Sequence, residues 1–184
     1  MNLITLLLVF FSSDTFLSVV SSSRDTVQFE LSGGSLQSYG CKPIDPSYWI
    51  SGSGSVVTII YREKQNQPTF RVWGMNTDDA AGISVNGSDY PLSISTASYT
   101  TKITCGTSPG TEGITFQEGL LVGVNTPSQG NYSYQDITLN AINVKTLTIR
   151  GLRGAGWGFC GIVQRGPRET EDATKHQRRG RIDD

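Results

Sequence analysis

Residues Ser55 to Asn86, SVVTIIYREKQNQPTFRVWGMNTDDAAGISVN, decide the fold. Val57, Ile59 and Tyr61 alternate with Thr58, Ile60 and Arg62, the period-two pattern of a half-buried strand. Glu63 to Pro68 is a polar turn, after which Phe70, Val72 and Gly74 alternate with Arg71, Trp73 and Met75. An Asn/Asp-rich loop, Asn76 to Asp79, leads into a third run that holds Ile83 and Val85. The expectation is an antiparallel unit of three successive strands with an apolar inner face. Its outer face carries Arg71 and Trp73, which a purely structural strand does not need.

The same alternation extends to both sides of this stretch. Val27, Phe29 and Leu31 define the cleanest strand, ended by Gly33-Gly34, and Tyr48-Trp49-Ile50 forms a short aromatic one before Ser51-Gly52-Ser53-Gly54. Downstream, Asn86-Gly87 is a turn, and Tyr99, Thr101, Ile103 and Cys105 share a strand face. After a turn over Gly106–Gly113 and a short run over Ile114–Phe116, a bulge or turn at Glu118-Gly119 precedes Leu120, Val122 and Val124 on one face. Tyr132 and Tyr134 lead into Ile137 and Leu139, Leu147 and Ile149 form the next strand, and Gly154–Val163 the last. About ten short strands with turn residues between them and no helical period predict an all-β antiparallel sandwich, and edge protection favours a jelly roll. The Gly-rich Ala155–Gly161 suits a strand pressed close to another sheet.

The chain has 184 residues, enough for one domain with a real core. Lys and Arg number 15 against 16 Asp and Glu, so there is no basic footprint for nucleic acid. Residues 1–23 are expected to be a signal peptide: Leu3–Phe11 is an apolar core, and Val19-Val20-Ser21-Ser22-Ser23 is a small-residue stretch suited to cleavage. The alternative, a membrane anchor, needs roughly 20 apolar residues, and Ser12-Ser13-Asp14 interrupts the run. Residues 24–164 are the domain. Beyond Gln164 apolar residues nearly vanish, so 165–184 is expected to be a disordered, charged tail; Arg178-Arg179-Gly180-Arg181 has the composition of a processing or polyanion-binding site, but the preferred reading is a merely solvated tail.

A secreted chain with three cysteines, Cys41, Cys105 and Cys160, points to one bridge and one thiol that is free or links subunits. Cys105, in phase with Ile103, and Cys160, in the closing strand, are the expected pair. The only histidine, His176, lies in the tail, which removes Ser-His and Cys-His catalysis from the domain. Asp45, Glu63, Asp78, Asp79, Asp89, Glu112, Glu118 and Asp136 fall almost entirely in expected turns, so no catalytic carboxylate pair is expected.

Binding is the better-supported role. Aromatic faces stack on the C–H faces of sugars while amide, carboxylate and Arg groups take the hydroxyls. Trp73 beside Arg71, Tyr132 with Tyr134, and Trp49 before a flexible segment supply such groups. The alternative is that these aromatics fill the core, which suits Trp157 and Trp49 best. Asn76, Asp78 and Asp79 offer oxygen ligands of the kind Ca²⁺ takes, although a turn uses the same residues for its own hydrogen bonds. Asn86 and Asn131 head N-glycosylation sequons, the second beside the tyrosine face.

Two segments resemble jelly-roll modules of secreted and surface proteins of microbes, some of which bind carbohydrate. Val56–Asn86 is similar in its strand, polar turn, strand and Asn/Asp-rich turn closing on Asn-Gly. VKTLTIRGLRGAGWGFCGI, Val144–Ile162, is similar to the closing pair of strands. The resemblance implies a jelly roll and a glycan or cell-surface ligand. Where those modules carry an Asp pair near the end of the last strand, this chain has Cys160-Gly161, so no ligand residue transfers there. A structural or assembly role, as a surface or virion coat subunit that forms homo-oligomers, is the alternative.

Overall fold

A computed structural model of the chain describes residues 16–19, 27–37, 47–100, 103–104, 113–126 and 133–163. Most of the signal peptide, the tail, Cys41, Cys105, Asn131 and Tyr132 lie outside these residues. Fifteen strands and no helix are described: β1 Phe16–Val19, β2 Val27–Ser32, β3 Ser35–Gln37, β4 Ser47–Ile50, β5 Val56–Gln65, β6 Thr69–Trp73, β7 Ala80–Val85, β8 Ser88–Asp89, β9 Ala97–Tyr99, β10 Ile103–Thr104, β11 Ile114–Gln117, β12 Leu120–Gly123, β13 Ser133–Leu139, β14 Val144–Arg153 and β15 Trp157–Ile162.

They form two antiparallel sheets. The first runs β1-β2-β5-β14-β7-β12-β11 with β8 beside β7, and the second runs β10-β13-β6-β15-β4-β3 with β9 beside β13. The expected sandwich is present. From β5 to β7, and again from β12 to β15, successive strands alternate between the sheets, as the winding of a jelly roll requires.

That winding corrects the three-strand unit expected for Ser55–Asn86. The strands are where the periodicity puts them, but β5, β6 and β7 do not pair with one another. β5 and β7 flank β14 in the first sheet, and β6 lies in the second. The turns 66–68 and 74–79 therefore cross the sandwich rather than close hairpins. Alternation reports which residues face inward, and a crossing strand that buries the same phase has the same alternation.

The core is built in layers between the sheets. In the first sheet Phe29, Ile59, Leu147 and Val85 lie in register across four strands, as do Leu31, Val57, Ile149 and Ile83. Ile50, Phe70, Val72, Ile137, Leu139, Trp157 and Phe159 face them from the second sheet. Phe29 and Phe159 meet across the gap with ring centroids 6.0 Å apart. On β12 the inward residue is Leu121, fully buried in the core, whereas Val124 is exposed. This shifts by one residue the face expected from Leu120, Val122 and Val124.

Two-residue turns at Asn86-Gly87 and Glu118-Gly119 hold both residues at positive φ, 51° and 81° in the first and 53° and 81° in the second. Asn-Gly accepts that conformation readily. The Asn86 side chain also caps the neighbouring turn: its oxygen accepts from the backbone N–H groups of Lys145 and Thr146, and its amide donates to the Asn143 carbonyl. The β1 strand, which pairs with β2 from Phe16↔Glu30 to Val19↔Val27, falls within the expected leader.

Candidate binding site

The outward side of the second sheet carries the residues expected to bind. Strand register places Tyr134 of β13 beside Trp73 of β6, Trp73 beside Gly158 of β15, and Gly158 beside Trp49 of β4. The glycine leaves room above β15 for the two indoles to lean together, centroids 6.3 Å apart at 61°. A Cβ on Gly158 would sit 3.4 Å from the Trp73 ring and 2.9 Å from Ser47 Oγ. Trp73, Tyr134, Trp49 and Cys160 thus form an apolar cluster separate from the core.

Trp49 had been expected to suit the core. The alternation of β4 sends Tyr48 and Ile50 inward and leaves Trp49 half-buried on the outer face, while Trp157 is in the core as expected. Trp73 points outward as expected, yet it is only 7% exposed and Tyr134 only 9%. Trp49 is therefore the most open of the three rings.

The next row holds charge. Arg71 makes a two-pronged pair with Asp136 across β6 and β13: Nε donates to Oδ1, and Nη2 to Oδ2 at 2.9 Å. The guanidinium also lies 4.5 Å from the centre of the Tyr134 ring. Hydrogen bonding to Asp136 raises the Arg71 pKa further, so the arginine stays charged. The Asp136 backbone N–H donates to Thr100 Oγ1, which ties β13 to the end of β9.

Asp136 had been grouped with the turn carboxylates, although β13 places it in the sheet. The signal was available, because Tyr134, Asp136 and Thr138 share the phase opposite to Ile137 and Leu139. Tyr132, Asn131 and Cys105 lie outside the described residues.

No family model, no curated protein and no solved structure matches the chain. Fold and chemistry alone therefore characterise this face.

Cys160 carries a free thiol, and Cys105, its expected partner, lies outside the described residues. It sits on the outward phase of β15, partly buried against Trp73 and Tyr134, rather than near the core. Burial is the main cause that pushes its thiol up to about 12, with Asp136 adding to the rise and Arg71 opposing it. From a starting value of 9.0 to about 12, the thiolate fraction at pH 8 falls on the order of a thousandfold. Iodoacetamide should accordingly label Cys160 far more slowly in the native protein than in urea. Peptide mapping without reductant checks this: rapid native labelling of Cys160, or a Cys160 disulfide within the chain, contradicts it.

The Asn76–Asp79 turn lies at the end of the sheet next to Trp73. It closes on itself, with Asp79 N–H donating to the Asn76 carbonyl at 2.9 Å and Asn76 N–H donating to Asp79 Oδ2 at 2.8 Å. Thr77 N–H reaches the Asn125 carbonyl, and Asp79 Oδ1 accepts from Gly156 N–H at 2.9 Å. Gly156 in turn lies against Trp49: a Cβ there would come within 2.3 Å of its Nε1. Asp79 is completely buried, and desolvation raises its pKa above the usual carboxylate value despite these two backbone hydrogen bonds.

Proposed function

We propose that this chain is a secreted, non-catalytic binding module that takes glycans on the outward face of its second sheet. The carrying observation is the in-register row Tyr134, Trp73 and Trp49 outside the core, with the Arg71–Asp136 pair in the adjacent row. Trp49 would supply the stacking surface, held at its angle by the Trp73 edge beneath it. Arg71 and Asp136, with side chains 22% and 14% exposed, would offer a fixed donor and acceptor to neighbouring hydroxyls. Tyr134 would brace the guanidinium rather than touch ligand.

A glycan array with the wild-type protein, Trp49→Ala and Arg71→Ala tests this. Wild type is expected to bind a restricted set of glycans, and either substitution to weaken binding at least about tenfold, the worth of one lost stacking or charge-assisted contact. Trp49→Ala should leave the melting temperature nearly unchanged, because the ring is outside the core. Absence of binding by wild type on the whole array overturns the proposal.

A structural or assembly role is favoured by a different observation, the apolar side chains left in the open. Ile94 is 93% exposed and Ile142 70%, on adjacent turns joined by the Asn140 amide donating to the Ser95 carbonyl. Leu36 is exposed on the edge strand β3. Light scattering after size exclusion separates the two roles, since a stable oligomer supports assembly and a monomer supports a ligand module. Among the described residues no helix is long and apolar enough to cross a membrane. Under the secretion proposal, cleavage within Val19–Ser23 would remove β1 and leave β2 as the sheet edge.

A further inference from the structure

Charge is distributed unequally between the two sheets. Among the described residues, Arg71 and Asp136 are the only charged residues in the seven strands of the second sheet. In the first sheet β5 alone carries Arg62, Glu63 and Lys64, and β14 carries Lys145, Arg150 and Arg153. Arg71 and Asp136 neutralise each other in their two-pronged pair, and the Tyr134 ring covers the guanidinium. Cys160 adds no charge, because burial pushes its thiol up to about 12. The strands that present the aromatic row are therefore electrically neutral.

The pair also resists being opened. Both carboxylate oxygens of Asp136 accept from Arg71, and the two side chains are mostly buried. A ligand carboxylate or sulfate that reached Arg71 would meet the Asp136 charge beside it, and displacing Asp136 would leave a largely buried anion without its partner. A hydroxyl needs no such exchange. It can donate to a remaining lone pair of Asp136, or accept from an Arg71 N–H outside the pair, while the ion pair stays closed.

The other flank of Trp49 is uncharged as well. Ser35 of β3 stands opposite Trp49 in register, which puts both side chains on the outer face. Gln37 lies two residues on, in the same phase, and its Nε2 donates to Ser35 Oγ at 3.0 Å. Ser35 is exposed and Gln37 half-buried, so the edge strand offers a hydroxyl and an amide beside the open indole. We propose that this face selects uncharged sugar residues: one pyranose stacks on Trp49, Ser35 and Gln37 take its hydroxyls at the sheet edge, and the closed Arg71–Asp136 pair excludes carboxylated or sulfated sugars. The proposal rests on the glycan reading above and names the class of sugar it takes. Selectivity of this kind comes as much from what the closed pair refuses as from what Trp49 attracts.

A glycan array read in matched pairs tests this, each neutral glycan set against the same backbone bearing a sialic acid, a uronic acid or a sulfate. Wild type is expected to bind the neutral member at least about tenfold better, with little change between about 0.05 and 0.5 M NaCl, because no net charge is engaged. Gln37→Ala, on an edge strand outside the core, should weaken neutral binding about tenfold and leave the melting temperature unchanged. Asp136→Asn leaves the Arg71 charge uncompensated and should raise binding of the acidic members at least about tenfold. The matched pairs on wild type and Gln37→Ala decide the matter if Asp136→Asn folds poorly. Wild type that binds acidic members equally or better overturns the selectivity and leaves the glycan reading standing, whereas wild type that binds no glycan overturns both. Neutral binding unaltered by Gln37→Ala removes β3 from the site, and a folded Asp136→Asn that still refuses acidic glycans overturns the role of the closed pair.

Discussion

Replacing Trp157 with alanine is expected to destabilise the domain by about 3–5 kcal/mol, the usual cost of deleting a large buried aromatic. Trp157 is fully buried on β15, the strand between β6 and β4, and is the largest side chain that the core encloses completely. Ile50, beside it in register, is also fully buried. With net stabilities of about 5–15 kcal/mol, such a loss consumes a large share of what holds the native state. The melting temperature should fall by about 10 °C or more. Trp157→Phe should cost much less, since the indole N–H has no hydrogen-bond partner among the described residues and its loss forfeits no bond. Urea unfolding of the three proteins checks both statements; an alanine midpoint equal to that of wild type would show that Trp157 does not support the core.

The second large effect comes from adding a single methyl group. Gly123, the last residue of β12, lies against the main chain of the β6–β7 crossing, and a Cβ there would come within 2.3 Å of the Met75 carbonyl carbon and 2.5 Å of the Asn76 nitrogen. The obstructing atoms are backbone, so no rotamer change relieves the clash. Gly123→Ala should therefore push β12 away from the crossing and expose Met75, which is fully buried. A cost of about 3 kcal/mol or more is expected, at the upper end of overpacking effects because the backbone has to move. Gly87→Ala is the matched comparison: its Cβ meets nothing within 4 Å, so only the strain of a positive φ remains. Equal melting temperatures for Gly123→Ala and wild type would exclude this close approach.

Those two positions illustrate what the sequence discloses. Strand phase was legible wherever alternation was strict: Val27, Phe29 and Leu31, or Val57, Ile59 and Tyr61, all face inward as the period of two predicts. Strand partners were not, because two strands on opposite sheets and two strands of one hairpin can carry the same pattern. β12 was misphased because Leu120, Leu121 and Val122 are all apolar, which leaves the period nothing to contrast. On the candidate face, the outward direction of Arg71 and Trp73 followed from Phe70 and Val72 on the other phase. The depth of Trp73 did not, since it depends on what approaches from other segments. Gly158 matters only once it stands between two tryptophans, and Asp136 becomes the partner of Arg71 only through a register spanning 65 residues.

The order of strands also constrains how the molecule can be made. β14 and β15, the last two of the described strands, lie in the middle of the two sheets. Without them the first sheet separates into β1-β2-β5 and β7-β12-β11, and the second into β10-β13-β6 and β4-β3. A nascent chain that ends before Val144 can form only these fragments, each with an open edge and no complete opposite layer. Pairing of β5 with β14 closes a loop of about ninety residues, and such non-local contacts are the slow step in β-rich folding. Neither sheet can therefore be continuous until β14 and β15 have been synthesised. During that interval the exposed edges of β5, β7, β6 and β4 are its main route to misassembly.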